Sequence, residues 1–390
     1  MNNWKKVKLS DIINFNPREI LPKGTIAKKI AMEKLEPFTR DIPEFEQLEF
    51  KGGTKFRNGD TLIARITPSL ENGKTAKVSL LDKNEVGFGS TEFIVARAKE
   101  SISDENFVYY LMLNPSIREV AIKSMVGTSG RQRVQLDVVK NHEILCPPLE
   151  EQIQIGKILS IIDDKIENNK KINHHLEQIA QVLFEQVYYD GSSAQLGDAL
   201  STLESGSRPK GGAELDGIPS IGAENIERFG QYDYTKEKFI SHEYFKRLNR
   251  GVVHSGDVLL YKDGAYTGKV SMALDGFPHA QCAVNEHIFI LRPNELAPSS
   301  FFLYFLLLNS ENKQALFSRA SSKAAQPGLN QTEVKTLPIL LPKIEKIVEF
   351  DNTIAPFMHQ ITKNANENRK LSTLRDTLLP KLLSGEISVN

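Results

Sequence analysis

Two long stretches of the chain place apolar residues at alternating steps of three and four positions. The first starts after Pro148, where Glu150 and Glu151 put acidic groups in the first turn, as a helix N-terminus favours. Its seam positions are Ile155, Leu159, Ile162, Ile166, Asn169, Asn173, Leu176 and Leu183. This spacing predicts a coiled-coil helix, and about 40 residues at about 1.5 Å each would make it roughly 60 Å long.

A second stretch of the same kind follows Pro342 and forms the C-terminal part of the chain. Its seam includes Ile354, Ile361, Leu371 and Leu378. Pro356 lies within the pattern, and because proline has no N–H and clashes with the preceding turn, we expect it to bend or interrupt this helix. We expect the two helices to pair along their seams, with Asn169 and Asn173 fixing the register.

The segments that precede the two helices are related by an internal repeat with an offset close to 195 residues. The matching positions are 107–114 with 302–309, Arg97 with Arg292, and 59–60 with 256–257. A duplicated unit that is followed each time by a long helix predicts the order globule, helix, globule, helix. The expected boundaries are 1–147, 148–189, 190–341 and 342–390.

Within each globule, short β-prone runs follow glycine-containing turns and alternate with helical runs. The predicted strands are residues 61–66, 93–96, 258–261 and 287–291, and the predicted short helices are 105–114 and 118–125. The fold class is therefore α/β in the α+β sense, with two similar domains that each contain a small sheet. Two polar loops are predicted to be equivalent, at residues 127–133 and 318–330. A basic loop at residues 206–212 has no close counterpart in the first copy.

Composition indicates neither nucleic-acid binding nor a membrane protein. The chain has 390 residues with 49 Lys+Arg and 49 Asp+Glu, so its net charge is zero. No apolar run reaches the ~18 residues of a membrane span, and the N-terminus lacks the apolar region of a signal peptide. The two cysteines, Cys146 and Cys282, have no metal-site spacing. We therefore expect a cytoplasmic protein of two or three domains without a bound metal.

The sequence contains fragments of catalytic motifs but no complete one. Residues 72–75 resemble the end of a phosphate-binding loop, but Pro68 stands where the first glycine is required. Residues 49–51 fit half of a nuclease site, although such short triplets are common by chance. His174 and His175 are neighbours on a helix, so their side chains diverge and cannot share a metal. Since no nucleophile and base recur in both copies, we expect a non-catalytic protein.

Two motifs point to a family that this chain resembles. Residues 145–152, Leu-Cys-Pro-Pro-Leu-Glu-Glu-Gln, are similar to the start of the central helix in specificity subunits of type I restriction–modification systems. Residues 378–387, Leu-Leu-Pro-Lys-Leu-Leu-Ser-Gly-Glu-Ile, resemble the C-terminal ending of those subunits. The resemblance covers the whole chain. It is weaker at the second long helix, because residues 342–346 lack the Glu-Gln pair of the first.

The resemblance implies two target recognition domains, each of which reads one half of a bipartite site in double-stranded DNA. It also implies that the long helices form an antiparallel coiled coil, which sets the spacing of the half-sites and docks two methyltransferase subunits. Restriction subunits would join the full complex. S-adenosylmethionine and ATP would be held by these partners, so this chain itself would need no cofactor. The alternative is a structural tether that joins protein partners without touching DNA.

Polar loop residues are the candidates for DNA contact, because Arg, Lys, Asn and Gln suit phosphates and base edges. In the first copy the candidates are Arg65, Lys74, Lys123, Arg131, Gln132 and Arg133. In the second copy they are Arg208, Lys210, Lys262, Arg319, Lys323, Gln326 and Asn330. Gly127 and Gly130 would let the first loop approach a groove closely. The alternative is that these loops cap helices or touch the methyltransferase.

Overall fold

The computed structural model of the chain describes residues 3–128, 130–321 and 328–389. The first half contains, in order, β1 (Lys5–Lys8), α1 (Leu9–Ile12), β2 (Ile13–Phe15), β3 (Ile26–Ile30), β4 (Glu46–Glu49), β5 (Thr54–Phe56), β6 (Thr61–Ala64), β7 (Thr75–Lys77), β8 (Gly87–Gly89), β9 (Phe93–Ala98), α2 (Glu105–Leu113), α3 (Pro115–Lys123), α4 (Leu136–Asn141), β10 (Glu143–Cys146) and α5 (Leu149–Tyr188). The second half contains β11 (Ser192–Gln195), β12 (Leu200–Ser205), β13 (Ile218–Ile221), β14 (Ile226–Arg228), β15 (Gln231–Tyr232), β16 (Phe239–Ile240), α6 (His242–Lys246), β17 (Val258–Tyr261), β18 (Val270–Met272), β19 (Ala283–Val284), β20 (Ile288–Pro293), α7 (Ser300–Leu308), α8 (Ser310–Ser321), α9 (Gln331–Lys335), β21 (Pro338–Leu341) and α10 (Ile344–Ser384). Within the three described ranges, no helix combines the length and apolar character that a membrane span needs.

The sheets confirm the internal repeat. The strand order β2-β9-β6-β7 of the first half recurs as β12-β20-β17-β18 in the second. β1 pairs antiparallel with β10, just as β11 pairs antiparallel with β21. A further sheet, β4-β3-β8-β5, corresponds to the smaller β16-β13-β19, and each contains one parallel pair. The two copies therefore share a topology although few of their residues are identical.

A buried ion pair below the glycine–aspartate turn links two of the paired positions. Gly59 has a φ of 86°, which favours glycine, and Asp60 follows it. Arg97 on β9 donates to both carboxylate oxygens of Asp60, at 2.6 and 2.7 Å. Arg292 makes the same two-pronged contact with Asp257, at 2.6 and 2.8 Å. Because both aspartates are buried, loss of either arginine would leave an uncompensated charge inside a domain.

One almost wholly apolar helix, α2 or α7, closes the core of each globule. Asp104 caps α2 and Ser299 caps α7, and each side chain accepts the N–H of the third helical residue at 2.9 Å. All residues from 107 to 113 and from 301 to 307 are buried. A surface helix buries only one face, so burial all round makes these two helices central to their cores.

The two long helices are continuous, with 40 residues in α5 and 41 in α10. Of the two expected effects of Pro356, the interruption does not occur, because α10 runs through it, and a bend at this position stays a prediction. The proline is exposed, whereas Ile354, Met358 and Ile361 are buried around it. Burial of these three side chains offsets the backbone hydrogen bond that proline cannot donate.

Contacts divide the chain into two compact units, and each unit takes part of both long helices. The first unit is Met1–Glu167 with Lys370–Asn390, and the second is Asn168–Arg369. The boundaries drawn from the sequence instead treat each helix as a segment of its own. The helices are divided in this way because their buried faces complete the cores of both units.

The pairing of α5 with α10 is directly visible inside the second unit. Asn169 Nδ2 donates to Asn368 Oδ1 at 2.9 Å, and Asn364 Nδ2 donates to Asn173 Oδ1 at 2.7 Å. The residue number rises along α5 while it falls along α10, so the helices are antiparallel here. The two asparagines expected at the seam thus bind asparagines of the facing helix.

Two loop expectations need correction. Residues 318–321 of the polar loop predicted at 318–330 belong instead to α8, which continues to Ser321 and buries Ala320 completely, and residues 322–327 lie outside the described residues. The basic loop at 206–212 does have a counterpart in the first copy. It belongs to the connection between β12 and β13, residues 206–217, which corresponds to residues 16–25 between β2 and β3. The sequence hides this correspondence because the two connections differ in length and share little sequence.

Candidate nucleic-acid interface

Residues 126–128 and 130–133 form two arms that pair with each other, like the arms of a hairpin, and are pinned to the sheet of the first unit. Val126 and Arg133 exchange both backbone hydrogen bonds, at 2.8 and 3.0 Å, and Arg133 also forms a bridge with Ile66. Gly127 and Gly130 have φ values of 137° and 78°. A Cβ atom on Gly130 would meet no described residue within 4 Å apart from its chain neighbours, so the backbone at Gly130 is open to approach.

Arg131 is the candidate that this hairpin leaves most accessible. Its side chain is exposed, and its guanidinium has no hydrogen-bond or ion-pair partner within the described residues. The neighbouring Gln132 is half-buried, and its carbonyl accepts the Thr67 N–H at 3.0 Å. A long cation on a backbone fixed in this way can reach a phosphate, or the O6 and N7 atoms of guanine.

Arg133 and Arg65 share one carboxylate, that of Glu92. Arg133 donates to it through Nε at 3.0 Å and through Nη2 at 2.7 Å, while Arg65 Nε lies 3.6 Å from it. The hydrogen bond from Arg133 holds the pKa of Glu92 below its usual range, and Glu92 in turn raises the pKa of Arg133. Two guanidinium groups on one carboxylate leave a net positive charge, which attracts phosphate.

The equivalent edge of the second unit carries its charges in other positions. The bridge that pins the first hairpin recurs between Asp263 and Gly328. His287 Nδ1 lies 2.8 Å from Asp263 Oδ2, and Lys262 Nζ lies 3.4 Å from the same oxygen. Lys262 also packs over the Phe289 ring, 5.3 Å from its centroid. At this edge of the second unit, a lysine and a histidine therefore surround one aspartate. At the equivalent edge of the first unit, two arginines surround one glutamate.

The basic loop of the second unit adds Arg208 and Lys210 beside this edge. Arg208 Nη1 lies 3.7 Å from Glu286 Oε1, and its side chain remains 69% exposed. Lys210 is exposed and has no ion-pair partner in the part of the chain that the structure describes. Both side chains can therefore reach an anion without breaking a buried contact.

Arg319 and Asn330 are engaged in capping α9. Arg319 donates to the Thr336 hydroxyl at 3.0 Å and to the Thr336 carbonyl at 3.1 Å, at the C-terminal end of that helix. Asn330 is the N-cap, and its Oδ1 accepts the Glu333 N–H at 2.9 Å. Capping satisfies backbone groups that a helix end leaves unpaired, so these contacts account for both residues without DNA.

The remaining four candidates differ in what the structure says of them. Lys74 Nζ donates to the Met32 carbonyl at 3.0 Å and is thereby held inside the first unit. Lys123 is exposed on α3 and forms an ion pair with Glu119, one helical turn away, at 2.5 Å. Lys323 and Gln326 lie outside the described residues. Contact with DNA stays a prediction for all thirteen candidates. Arg131 and Lys210 are exposed and have no ion-pair partner within the described residues, and Arg208 is exposed with only a long ion-pair distance of 3.7 Å to Glu286.

The helix seam predicted from the sequence contains both buried and partly buried positions. Ile155, Leu159, Ile162, Asn169, Ile354 and Ile361 are buried. Ile166, Asn173, Leu176, Leu183, Leu371 and Leu378 are partly buried. The pattern did not single out Phe184, which is fully buried and stacks on Tyr188 with ring centroids 5.0 Å apart.

Sequence reasoning also missed a buried charged cluster in the first unit. Asp163 accepts the Tyr110 hydroxyl at 2.7 Å and an N–H of Arg375 at 2.8 Å. The side chains of Asp163 and Arg375 are only 4% and 6% exposed. The apolar spacing places Ile162 at the interface between the long helices. It therefore predicts that its charged neighbour Asp163 is exposed to solvent.

No group of His, Cys, Asp and Glu side chains suited to a metal occurs among the described residues. Burial raises the pKa of the Cys146 thiol to about 11 and that of the Cys282 thiol to about 12. Both thiols therefore stay protonated near neutral pH and are poor nucleophiles.

Comparison with known proteins matches both copies. The family model described as "Type I restriction modification DNA specificity domain" covers residues 1–178 and 213–375. The HindI specificity subunit of Haemophilus influenzae is 24% identical over 99% of this chain and 100% of its own length. The MjaIX specificity subunit of Methanocaldococcus jannaschii is 25% identical over 75% of this chain and 71% of its own. A crystal structure of the S subunit of a type I system from M. genitalium superposes with a TM-score of 0.58 at 16% identity, over 98% of this chain and 96% of that one, which shows the fold alone.

Proposed function

Because the chain belongs to the family of type I restriction–modification DNA specificity domains, we propose that it is the non-catalytic subunit that reads a bipartite DNA site. The observation that carries this proposal is that the family match extends over both copies of the repeat, residues 1–178 and 213–375. Two similar frames with different polar surfaces suit two different half-sites. Each unit would supply one reading surface.

We propose Arg131 as the main base-reading residue of the first unit, with Arg65 and Arg133 on phosphates. The support is the exposed side chain of Arg131, the fixed backbone at Gln132, and the net positive charge around Glu92. In the second unit, Arg208 and Lys210 supply the accessible cations of the reading surface. Arginine pairs bidentately with guanine, which makes it the most informative single residue to change.

The partners follow from the same assignment. We propose that the long helices α5 and α10 dock two methyltransferase subunits, that restriction subunits join the complex, and that the assembly works in the cytoplasm. S-adenosylmethionine and ATP would bind to those partners. A tether that joins two proteins without touching DNA is the competing function, and the exposed hairpin cation argues against it.

Binding measurements on the complex with its methyltransferase separate these functions. The proposal predicts sequence-dependent DNA binding whose log affinity falls linearly with log salt, because cations on the protein release counterions from phosphates. Arg131→Ala should relax one position of the first half-site and lose about 1–3 kcal/mol of binding energy. Lys83→Ala removes one exposed charge elsewhere on the first unit and is the matched control.

Three results would speak against this assignment. A wild-type complex without sequence preference on DNA would reject the reading function. An Arg131→Ala complex that loses affinity equally on all sequences, with a salt slope lower by about one, would make the residue a phosphate contact. An Arg131→Ala chain that no longer assembles with the methyltransferase would make Arg131 a contact to that protein.

A further inference from the structure

Ile20 and Leu215 are the two most exposed large aliphatic side chains among the described residues. Ile20 is 87% exposed and Leu215 is 99% exposed, whereas the next, Ile26, is 63% exposed. A single exposed leucine carries no information, because folded proteins expose much apolar surface. The positions of these two side chains are informative, however, because Ile20 follows β2 and Leu215 follows β12. The two residues therefore lie in corresponding loops of the two copies.

The first of these loops, residues 16–25, is anchored immediately before Ile20. The Glu19 carboxylate is buried and binds Arg97 and Arg57, each at 2.6 Å. Lys55 Nζ donates to the Glu19 carbonyl at 2.5 Å. These contacts hold the backbone against the domain, so Ile20 projects from a fixed point.

The second loop, residues 206–217, is anchored in the same way by other residues. Ser207 Oγ lies 2.9 Å from the Tyr244 hydroxyl on α6. The Glu214 N–H, one residue before Leu215, donates to the Phe239 carbonyl at 2.8 Å. Leu215 is therefore presented beyond an anchored backbone, as Ile20 is.

Both loops contain exposed cations. Arg18 and Lys23 are exposed in the first loop, and within the described part of the chain neither has an ion-pair partner. Arg208 and Lys210 are exposed in the second loop. Two acids, Glu214 and Asp216, adjoin Leu215, so the second loop is less basic than the first, whose single acid is buried under two arginines.

We propose that Ile20 and Leu215 are apolar DNA-reading contacts, one for each half-site, with the exposed cations of the same loops on nearby phosphates. An aliphatic side chain at such a tip touches the methyl group of thymine or wedges between base steps. The inference rests on the proposed function and adds to it a second reading element in each unit, besides the polar loops.

The alternative is that these two loop tips contact a surface of the methyltransferase. Two observations favour DNA. Exposed cations in the loops that carry the two aliphatic side chains suit a polyanion, and one tip in each copy matches a site with two halves. The test below treats a protein contact as an outcome that overturns the inference.

The experiment uses the complex of the full chain with its methyltransferase and compares Ile20→Ala and Leu215→Ala with wild type. The matched controls are Leu145→Ala and Leu296→Ala, which truncate aliphatic side chains that are 58% and 60% exposed outside these loops. Affinity for the recognised site, the salt slope, the methylated motif and the assembly state are measured for each complex.

We expect Ile20→Ala to weaken site binding about tenfold, as the loss of one base contact does, and to relax only the first half of the motif. Leu215→Ala should act only on the second half. The salt slope should stay unchanged, because no charge is removed. Both controls should behave as wild type.

The inference is overturned if both tip variants keep the wild-type affinity and motif, or if they lose assembly with the methyltransferase. Either result leaves the reading function intact as long as the wild-type complex binds its site. A wild-type complex that shows no sequence preference would instead reject the proposed function itself.

Discussion

At equivalent positions between α5 and α10, the first unit buries charged and polar side chains, whereas the second unit buries apolar ones. In the first unit, buried Asp163 binds Tyr110 and Arg375. At the repeat offset of 195 positions, the second unit places Phe305, Met358 and Ala180 at the corresponding sites, and all three are fully buried. An entire charged layer thus corresponds to an entire apolar layer, although the backbones follow the same plan.

The difference teaches which features of the repeat are bound to the topology and which are free to change. The paired asparagines keep the repeat, because Asn169 corresponds to Asn364 and Asn173 corresponds to Asn368. The contacts Asn169–Asn368 and Asn364–Asn173 are therefore the same contact made twice. The layer around Asp163 does not repeat, so the two halves of the chain are not interchangeable at that level.

The largest expected effect comes from removing one partner of the charged layer. Arg375→Ala should lower the free energy of unfolding by about 3–5 kcal/mol, because it leaves Asp163 as an uncompensated buried charge. Replacing the whole layer with the chemistry of the second unit, Tyr110→Phe with Asp163→Met and Arg375→Ala, should recover most of that loss. Urea unfolding of the full chain measures both. A triple variant less stable than Arg375→Ala would contradict the comparison.

The next largest loss of unfolding free energy should come from exchanging tyrosine and phenylalanine between the two equivalent positions, 110 and 305. Tyr110→Phe removes a hydrogen bond to a buried carboxylate and should cost about 1.5–3 kcal/mol. Phe305→Tyr puts a hydroxyl among Met358 and other buried apolar groups and should cost about 1–3 kcal/mol. Both changes are measured by urea unfolding, with Val138→Ala on the exposed surface of α4 as the control. A neutral result for both exchanges would mean that the layers are chemically equivalent.

The asparagine pairs should show smaller effects. Asn364→Ala removes the hydrogen bond that its side chain donates to Asn173 and should cost about 0.5–1.5 kcal/mol of unfolding free energy. Asn169→Ala removes the equivalent hydrogen bond to Asn368 and also one to the Glu367 carboxylate at 2.8 Å, so it should cost more, about 1.5–3 kcal/mol. Urea unfolding measures both, and a smaller loss for Asn169→Ala than for Asn364→Ala would contradict these contacts.

The smallest effect concerns pH. The pKa of Glu92 lies below the ordinary value of 4.5, mainly through its hydrogen bond with Arg133. A carboxyl whose pKa is lower in the folded state adds stability that is present above the unfolded pKa and is lost as the pH falls through the folded value. Comparing Glu92→Gln with wild type between pH 6 and 3, we expect a small stability difference that disappears at the acid end. A difference that grows on acidification would contradict the assigned ion pair.

The sequence predicted the order of elements well and the polar contacts poorly, for physical reasons. The apolar spacing of three and four predicted α5 and α10, and the β-prone run after Gly59 predicted β6. These predictions succeeded because the periodicity of buried positions is set by neighbouring residues in the sequence. The same logic failed at Pro356, where tertiary burial outweighs an intrinsic helix breaker. It also missed Asp163, since the partner that makes its burial tolerable lies more than 200 positions away.

The candidate site was predictable only in part. Glycines marked the hairpin at 126–133, but no local pattern distinguishes the accessible Arg131 from Arg319, which caps a helix. Exposure at Ile20 and Leu215 depends on how their loops are anchored, which emerges only in the folded chain. Long-range contacts therefore decide which polar or apolar loop residues are free to meet a ligand.

The most direct test of the account is a map of adenine methylation in a host that carries this chain with its methyltransferase. The map is compared for wild type, Arg131→Ala, Ile20→Ala and Leu215→Ala. The account predicts a bipartite motif, with the first two changes altering one half and the third altering only the other. A single contiguous motif, or a change of both halves by any one of these substitutions, would contradict the claim that each unit reads one half-site.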